Sequence, residues 1–381
     1  MRDKKYNILF ISRNFPPLTG GMERLMYNSY KLLSEEFNCT LIGPHGASAS
    51  LSSKNRSHEC SFNILKFLPC SILKSYYAAS KTQFDLVFAG SGINSLPAML
   101  VSKARNIPYI TYTHGLDITY KSFLYKKIFL PAIRSSELII TNSNNTSDVA
   151  KAHLIENNKI RVLNPGVHTP TTFKTEHDLT NKLDITNKKI LLTAGRLVKR
   201  KGIAPFIMSC LPDIIRKHPD TLYLIAGEEP NNQTSRPVTN EILKAVESTG
   251  LQNNIIILGK LSDNELTSAY QYSDLFVFPV LNDPSDIEGF GMVAIEAASN
   301  GTPTIAFSSG GIPDAVQNHI SGILIPPTDY ISLTKTIIDY LEGETFNITK
   351  DTCRNFAEQF SWNNYKRKII SLCYEAIRKN K

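Results

Sequence analysis

EGFGMVAIEAASNGTPTIAFSSGGIPDAV, running from Glu288 to Val316, decides how this chain is read. Gly289 and Gly291 let the backbone come close to a ligand, and the residues that follow have the spacing of a helix starting near Phe290. The N–H groups left unpaired at such a start favour an anion of the diphosphate kind. Glu288 and Glu296 bracket that position, one in the loop and the other within the first two turns. An ionised carboxylate only accepts hydrogen bonds, so the pair suits the hydroxyls of a vicinal diol, as in a ribose or hexose, rather than the phosphates. Taken alone, the two glutamates are also readable as helix-start acids that complement the dipole.

The residues downstream narrow that choice. Gly301 and Pro303 end the helix, PTIAFS reads as a buried strand, and Ser309, Gly310 and Gly311 make a second small-residue turn before a helix at Pro313. Strand, turn and helix therefore come twice in succession, with both glycine-rich turns at the strand edge where open parallel sheets bind ligands. The same alternation runs through the chain: YNILFIS, CTLIGP, DLVFAG, PYITYT, ELIITN and IRVL, then KILLTAG, LYLIAG, IIILG, DLFVFP, PTIAFS and GILIP. Short apolar runs between helical patterns predict an α/β class with parallel sheets. The two sets meet in a Pro-, Thr- and Asn-rich stretch over 164–189 that reads as a linker.

With 381 residues, 42% hydrophobic and 20% charged, the chain fits two globular domains. It has no run of 18 or more apolar residues, and the basic start MRDKK leads into a first strand rather than a signal peptide. The six cysteines show no paired spacing, which speaks against a metal site and a disulfide framework and suits a reducing cytoplasm. The net charge of +8 is uneven: residues 1–170 hold 20 basic and 10 acidic side chains, and the remainder 22 and 24. Such asymmetry suits an anionic membrane surface or a phosphorylated substrate. No nucleic-acid module is present, so nucleic acid is not an expected partner.

Further positions stand out at predicted strand ends. GRLVKRKG puts Arg196 and Lys201 in a loop leaving the sheet, where a guanidinium fork and a mobile ammonium suit a diphosphate, or else form an ordinary solvated cluster. FPPLTGGMER offers Gly20 and Gly21 before a helix near Met22, and Glu23 fits a helix-start acid. THGLD places His114 and Asp117 after PYITYT; Gly259 and Lys260 follow IIIL. Asp286 and Glu288 form an Asp-x-Glu pair, but with basic side chains at hand to neutralise a diphosphate no metal is expected.

These motifs are where the chain resembles the retaining glycosyltransferases of family 4. Glu288 and Glu296 stand at the two ends of that family's Glu-x7-Glu signature, and the resemblance covers nearly the whole chain. It implies the GT-B fold, two Rossmann-like domains facing each other across a cleft: 1–168 joined by a terminal helix 363–381 on the acceptor side, and 169–362 on the nucleotide-sugar side. It implies that Glu296 binds the ribose and Glu288 faces the donor sugar, with the backbone at Phe290, Gly291 and Met292 meeting sugar and phosphates. Arg196 and Lys201 take the diphosphate, while Lys199 and Arg200 are set aside. Gly20 and Gly21 face the donor phosphates, His114 the donor sugar, and Gly259 and Lys260 the base.

The resulting expectation is a retaining, metal-independent hexosyltransferase with no cofactor, its co-substrate a UDP or GDP sugar and its acceptor a polyprenyl-linked saccharide. An epimerase of the same fold and a catalytically silent sugar-nucleotide-binding subunit are the alternatives. The resemblance further suggests bacterial surface-polysaccharide assembly of the O-antigen, lipopolysaccharide or capsule type. Basic and aromatic residues alternate over 119–136 and 66–81, which fits a cytoplasmic protein held peripherally on the anionic inner face of the plasma membrane.

Overall fold

The computed structural model describes residues 5–52, 56–170, 183, 185–229, 238–283, 286–344 and 346–379. Much of the predicted linker, residues 171–182 and 184, lies outside them. The chain divides into two compact units, Met1–Gly166 with Trp362–Lys381, and Val167–Ser361. The changeovers fall one or two residues before the boundaries read from sequence.

In the first unit the strands are β1 (Asn7–Ile11), β2 (Asn38–Pro44), β3 (Arg56–Cys60), β4 (Leu86–Ala89), β5 (Tyr109–Thr113), β6 (Leu138–Thr141) and β7 (Ile160–Val162). They form one sheet in the order β3-β2-β1-β4-β5-β6-β7, every pair parallel. Alternation along β1 sorts the two faces. Ile8 and Phe10 pack in a cluster with Leu25 and Leu33 of helix Gly21–Glu36 and with Ile369 and Cys373 of helix Trp362–Lys379. Leu9 and Ile11 pack with Phe67 and Ala78 of helix Ile64–Lys81 and with Ala98 and Val101 of helix Ser95–Arg105. The last helix is tied in by Ser29 and Tyr365, whose hydroxyls are 2.6 Å apart.

The second unit holds β8 (Lys189–Ala194), β9 (Thr221–Ala226), β10 (Ile255–Gly259), β11 (Leu275–Phe278), β12 (Thr304–Phe307) and β13 (Gly322–Ile325), ordered β10-β9-β8-β11-β12-β13 and again all parallel. Both sheets reverse direction of winding once, next to β1 and next to β8, and that reversal opens a crevice at the carboxyl ends of the strands on either side.

All twelve predicted strands are present. The thirteenth, β3, reads RSHEC; it is a polar edge strand with little apolar signal, held by pairing with β2 from Thr40↔Arg56 to Pro44↔Cys60. One expectation is corrected: Cys60 and Cys70 form a disulfide, because helix Ile64–Lys81 turns back along the end of β3 and brings their Cα atoms to 5.8 Å. Cys39, Cys210, Cys353 and Cys373 are free and buried. Among the described residues no helix is long and apolar enough to cross a membrane.

Candidate functional site

β8 and β11 are neighbours at the winding reversal of the second unit, so the loops that follow them meet. After β8 the chain forms a single tight turn, Lys199–Lys201, closed by Gly202 with φ +67°. A side chain at Gly202 would run into the Pro279 carbonyl oxygen, so glycine lets the turn lie directly on the segment leaving β11. The amide of Leu281 donates to the Arg200 carbonyl at 2.8 Å, stitching the two together.

Glu288 is the centre of this junction. Its Oε2 accepts from Lys201 Nζ at 2.9 Å and from Arg200 Nε at 3.2 Å, and Arg200 also donates through Nη1 to Asp286. The Lys201 and Glu288 side chains are only 7% and 13% exposed. Lys201 Nζ additionally sits 4.6 Å from the centre of the Phe278 ring. Burial on its own would raise the Glu288 pKa; the charges and hydrogen bonds of Lys201 and Arg200 overcome it and hold the carboxyl down at about 2. The glutamate is thus a fixed anion at neutral pH.

The second glycine turn supports the first. Gly311 N donates to the Glu288 carbonyl at 2.8 Å, and a Cβ at Gly311 would collide with the backbone of Gly289 and Phe290. The helix itself spans Met292–Ser299, so Gly291 precedes it and Phe290 lies in the loop, two residues later than the sequence suggests. The Phe290 ring is buried against Phe360, 5.7 Å between centres. Glu296 stands in the second turn of that helix and accepts from the Tyr270 hydroxyl at 3.3 Å. Arg196 is exposed in the loop after β8, close enough to Lys201 for their charges to repel. Gly259 ends β10 and its carbonyl accepts from Gly227 N at 2.7 Å, while Lys260 pairs with Glu228 at 3.1 Å on the surface.

The remaining candidates belong to the first unit. Gly20 and Gly21 follow β1 at the opening of helix Gly21–Glu36, and Glu23 accepts from Asn14 Nδ2 at 2.8 Å. His114 follows β5, is largely buried, stacks on Tyr112 and meets the Gly90 carbonyl through Nε2 at 3.0 Å. The Asp117 carboxylate accepts from the His114 amide at 3.0 Å, a turn-closing contact. Arg200 is the participant that sequence reasoning set aside. Its only trace there is the facing of a Lys-Arg-Lys turn by an Asp-x-Glu pair some 85 residues later.

Two family models match the chain: glycosyl transferases group 1 over residues 176–367 and Glycosyltransferase Family 4 over residues 19–170. An uncharacterized glycosyltransferase of Methanocaldococcus jannaschii is 23% identical over 76% of this chain and 75% of its own length. The GDP-mannose-dependent alpha-(1-6)-phosphatidylinositol monomannoside mannosyltransferase of Mycolicibacterium smegmatis is 22% identical over 88% of this chain and 89% of that protein. In fold, the chain is similar to Anabaena HepE, solved with UDP-glucose, at a TM-score of 0.78, with 19% identity and coverage of 97% and 99%.

Proposed function

The chain belongs to the group 1 glycosyl transferases and is a GT-B glycosyltransferase that uses a nucleotide sugar, and from that premise we propose that it retains the donor's anomeric configuration and delivers a hexose to a polyprenyl-linked saccharide in bacterial surface-polysaccharide assembly. The observation that carries the donor site is the buried Glu288 held by Lys201 and Arg200 where β8 and β11 part. Glycine turns and a helix start lie beside it, ready for a pyrophosphate. Arg196 and Lys201 neutralise the charge that grows on the leaving diphosphate, so no metal is needed. Glu288 and His114 address the sugar, Glu296 the ribose, and the backbone of Gly20, Gly21, Gly259, Lys260, Phe290, Gly291 and Met292 the remainder of the donor. With the departing diphosphate stabilised, the acceptor hydroxyl attacks the anomeric carbon on the same face. The C–O bond to the diphosphate breaks, the new glycosidic bond forms, and the hydroxyl proton passes to the departing oxygen.

The test is to mix the protein with UDP- and GDP-hexoses and a polyprenyl diphosphate-linked saccharide, without divalent metal. Acceptor-dependent release of nucleoside diphosphate is expected, with a one-bond carbon–proton coupling at the anomeric centre of the product that matches the donor's configuration. An inverted product would overturn retention, and dependence on added metal would overturn the charge-neutralising role given to the basic pair. Arg196→Ala or Lys201→Ala should slow turnover about a hundredfold or more, by analogy with loss of a preorganised donor; full-rate variants would remove both residues from the mechanism.

A further inference from the structure

Glu288 is held by two cations through one oxygen, and only one of them is available to a ligand without loss elsewhere. Arg200 is pinned: its guanidinium spans Glu288 and Asp286, its carbonyl accepts from Leu281 N, and its side chain is 11% exposed. Among the described residues Lys201 Nζ has one hydrogen-bonding partner, Glu288 Oε2, plus the face of Phe278, and its ammonium sits on a flexible stem. Because the Lys201 side chain is only 7% exposed, reaching a diphosphate draws its ammonium at least partly away from Glu288. Were it the sole partner, that movement would leave a buried carboxylate uncompensated, a strongly unfavourable arrangement.

We propose that Arg200 is a positioning residue, the resident counter-ion of Glu288, which lets Lys201 leave that carboxylate for a nucleoside diphosphate without stranding a buried negative charge. The inference rests on the donor-site reading above and adds a residue that the resemblance to family 4 excludes. Asp286 completes the device: by taking the other edge of the guanidinium it keeps Arg200 turned toward the two acids and away from the phosphates.

The test uses UDP and GDP, with UMP and GMP alongside, titrated calorimetrically into the full chain. Because these probes lack the sugar, direct contacts of Glu288 with a donor hexose do not enter. Arg200→Gln should weaken whichever diphosphate binds by about tenfold or more, a change of ~1.4 kcal/mol or greater, and leave the monophosphate little changed. Arg200→Lys, which keeps the charge, should recover most of the loss. The double variant Arg200→Gln/Glu288→Gln should bind the diphosphate better than Arg200→Gln alone, since no stranded carboxylate then holds Lys201 back. A simple structural brace would give the opposite order. If wild type binds a diphosphate and Arg200→Gln binds it equally well, or if the double variant is the weaker of the two, the counter-ion role is overturned while the donor site stands. If wild type binds neither UDP nor GDP, the donor site fails and this role with it. Thermal melting without nucleotide monitors folding; should Arg200→Gln not fold, Asp286→Asn serves in its place, with a smaller loss of the same selectivity expected and its absence counting against the proposal.

Discussion

At the scale of single residues, Glu288 links the site to the stability of its unit. Its carboxyl is held at about 2 in the folded protein against an ordinary value near 4.5. The sign follows from a depressed folded value: the stabilisation is complete above the unfolded pKa and is lost as pH falls from about 4.5 toward 2. Glu288→Gln should therefore be less stable than wild type at pH 7, with Lys201 and Arg200 left partly uncompensated, and the difference in urea midpoint should shrink on going from pH 5 to pH 3. A difference that stays constant across that range would mean the carboxylate is not ion-paired in the fold. Glu288 and Lys201 each stood out in the sequence from its own motif, but not as partners of one another, which only the structure brings together. Arg200 was not, because a basic residue between two others in a loop is indistinguishable from solvated charge until Asp286 and Glu288 are seen opposite it.

At the scale of elements, the two glycine turns act as one piece. Gly311 lies so close to Gly289 and Phe290 that an added methyl would meet backbone, which cannot swing aside as a side chain can. Gly311→Ala should cost about 1–3 kcal/mol in urea unfolding, the range for forced overpacking, and should weaken nucleoside diphosphate binding because it displaces the loop bearing Glu288. Unchanged stability and binding would show the turns to be independent. The repetition of strand, glycine turn and helix was visible in sequence, since parallel strands covered on both sides read as continuous apolar runs such as LFVF and TIAF. The strand β3 escaped because an edge position needs no apolar run, and the Cys60–Cys70 bridge escaped with it, since only the return of helix Ile64–Lys81 along β3 gives that pair its meaning. The helix start at Met292 rather than Phe290 reflects Phe290 burying its ring beside Phe360 before the helix begins.

At the scale of the whole molecule, the excess positive charge of the amino-terminal half coincides with apolar side chains left outside. Helix Ile64–Lys81 exposes Leu65 and Leu73 at 81% and 71%, and helix Phe123–Arg134 exposes Phe123 and Leu124 at 79% and 64%. Both helices cover the same face of the first sheet: Ile11, Ala89, Thr111 and Ile139 line up across it, with Phe67 packed over one end and Leu130 and Ile133 over the other. Lys66, Lys81, Lys121, Lys126 and Lys127 are exposed among these apolar groups. Apolar tips among lysines form the pattern that inserts shallowly into an anionic interface, each lysine near the surface adding about 1 kcal/mol. A polyprenyl-linked acceptor would be met at such a surface. The full chain should then float with vesicles of phosphatidylglycerol and phosphatidylethanolamine, float less at high salt, and not float with phosphatidylcholine alone. Leu65→Glu/Leu73→Glu should reduce vesicle binding about tenfold or more, since two leucine side chains together lose several kcal/mol of burial. The melting temperature should hardly move, because neither side chain is packed in the core. Equal flotation with neutral and anionic vesicles, or undiminished binding by the double variant, would remove this face from contact with lipid and leave the basic half of the chain to the charge of its substrates.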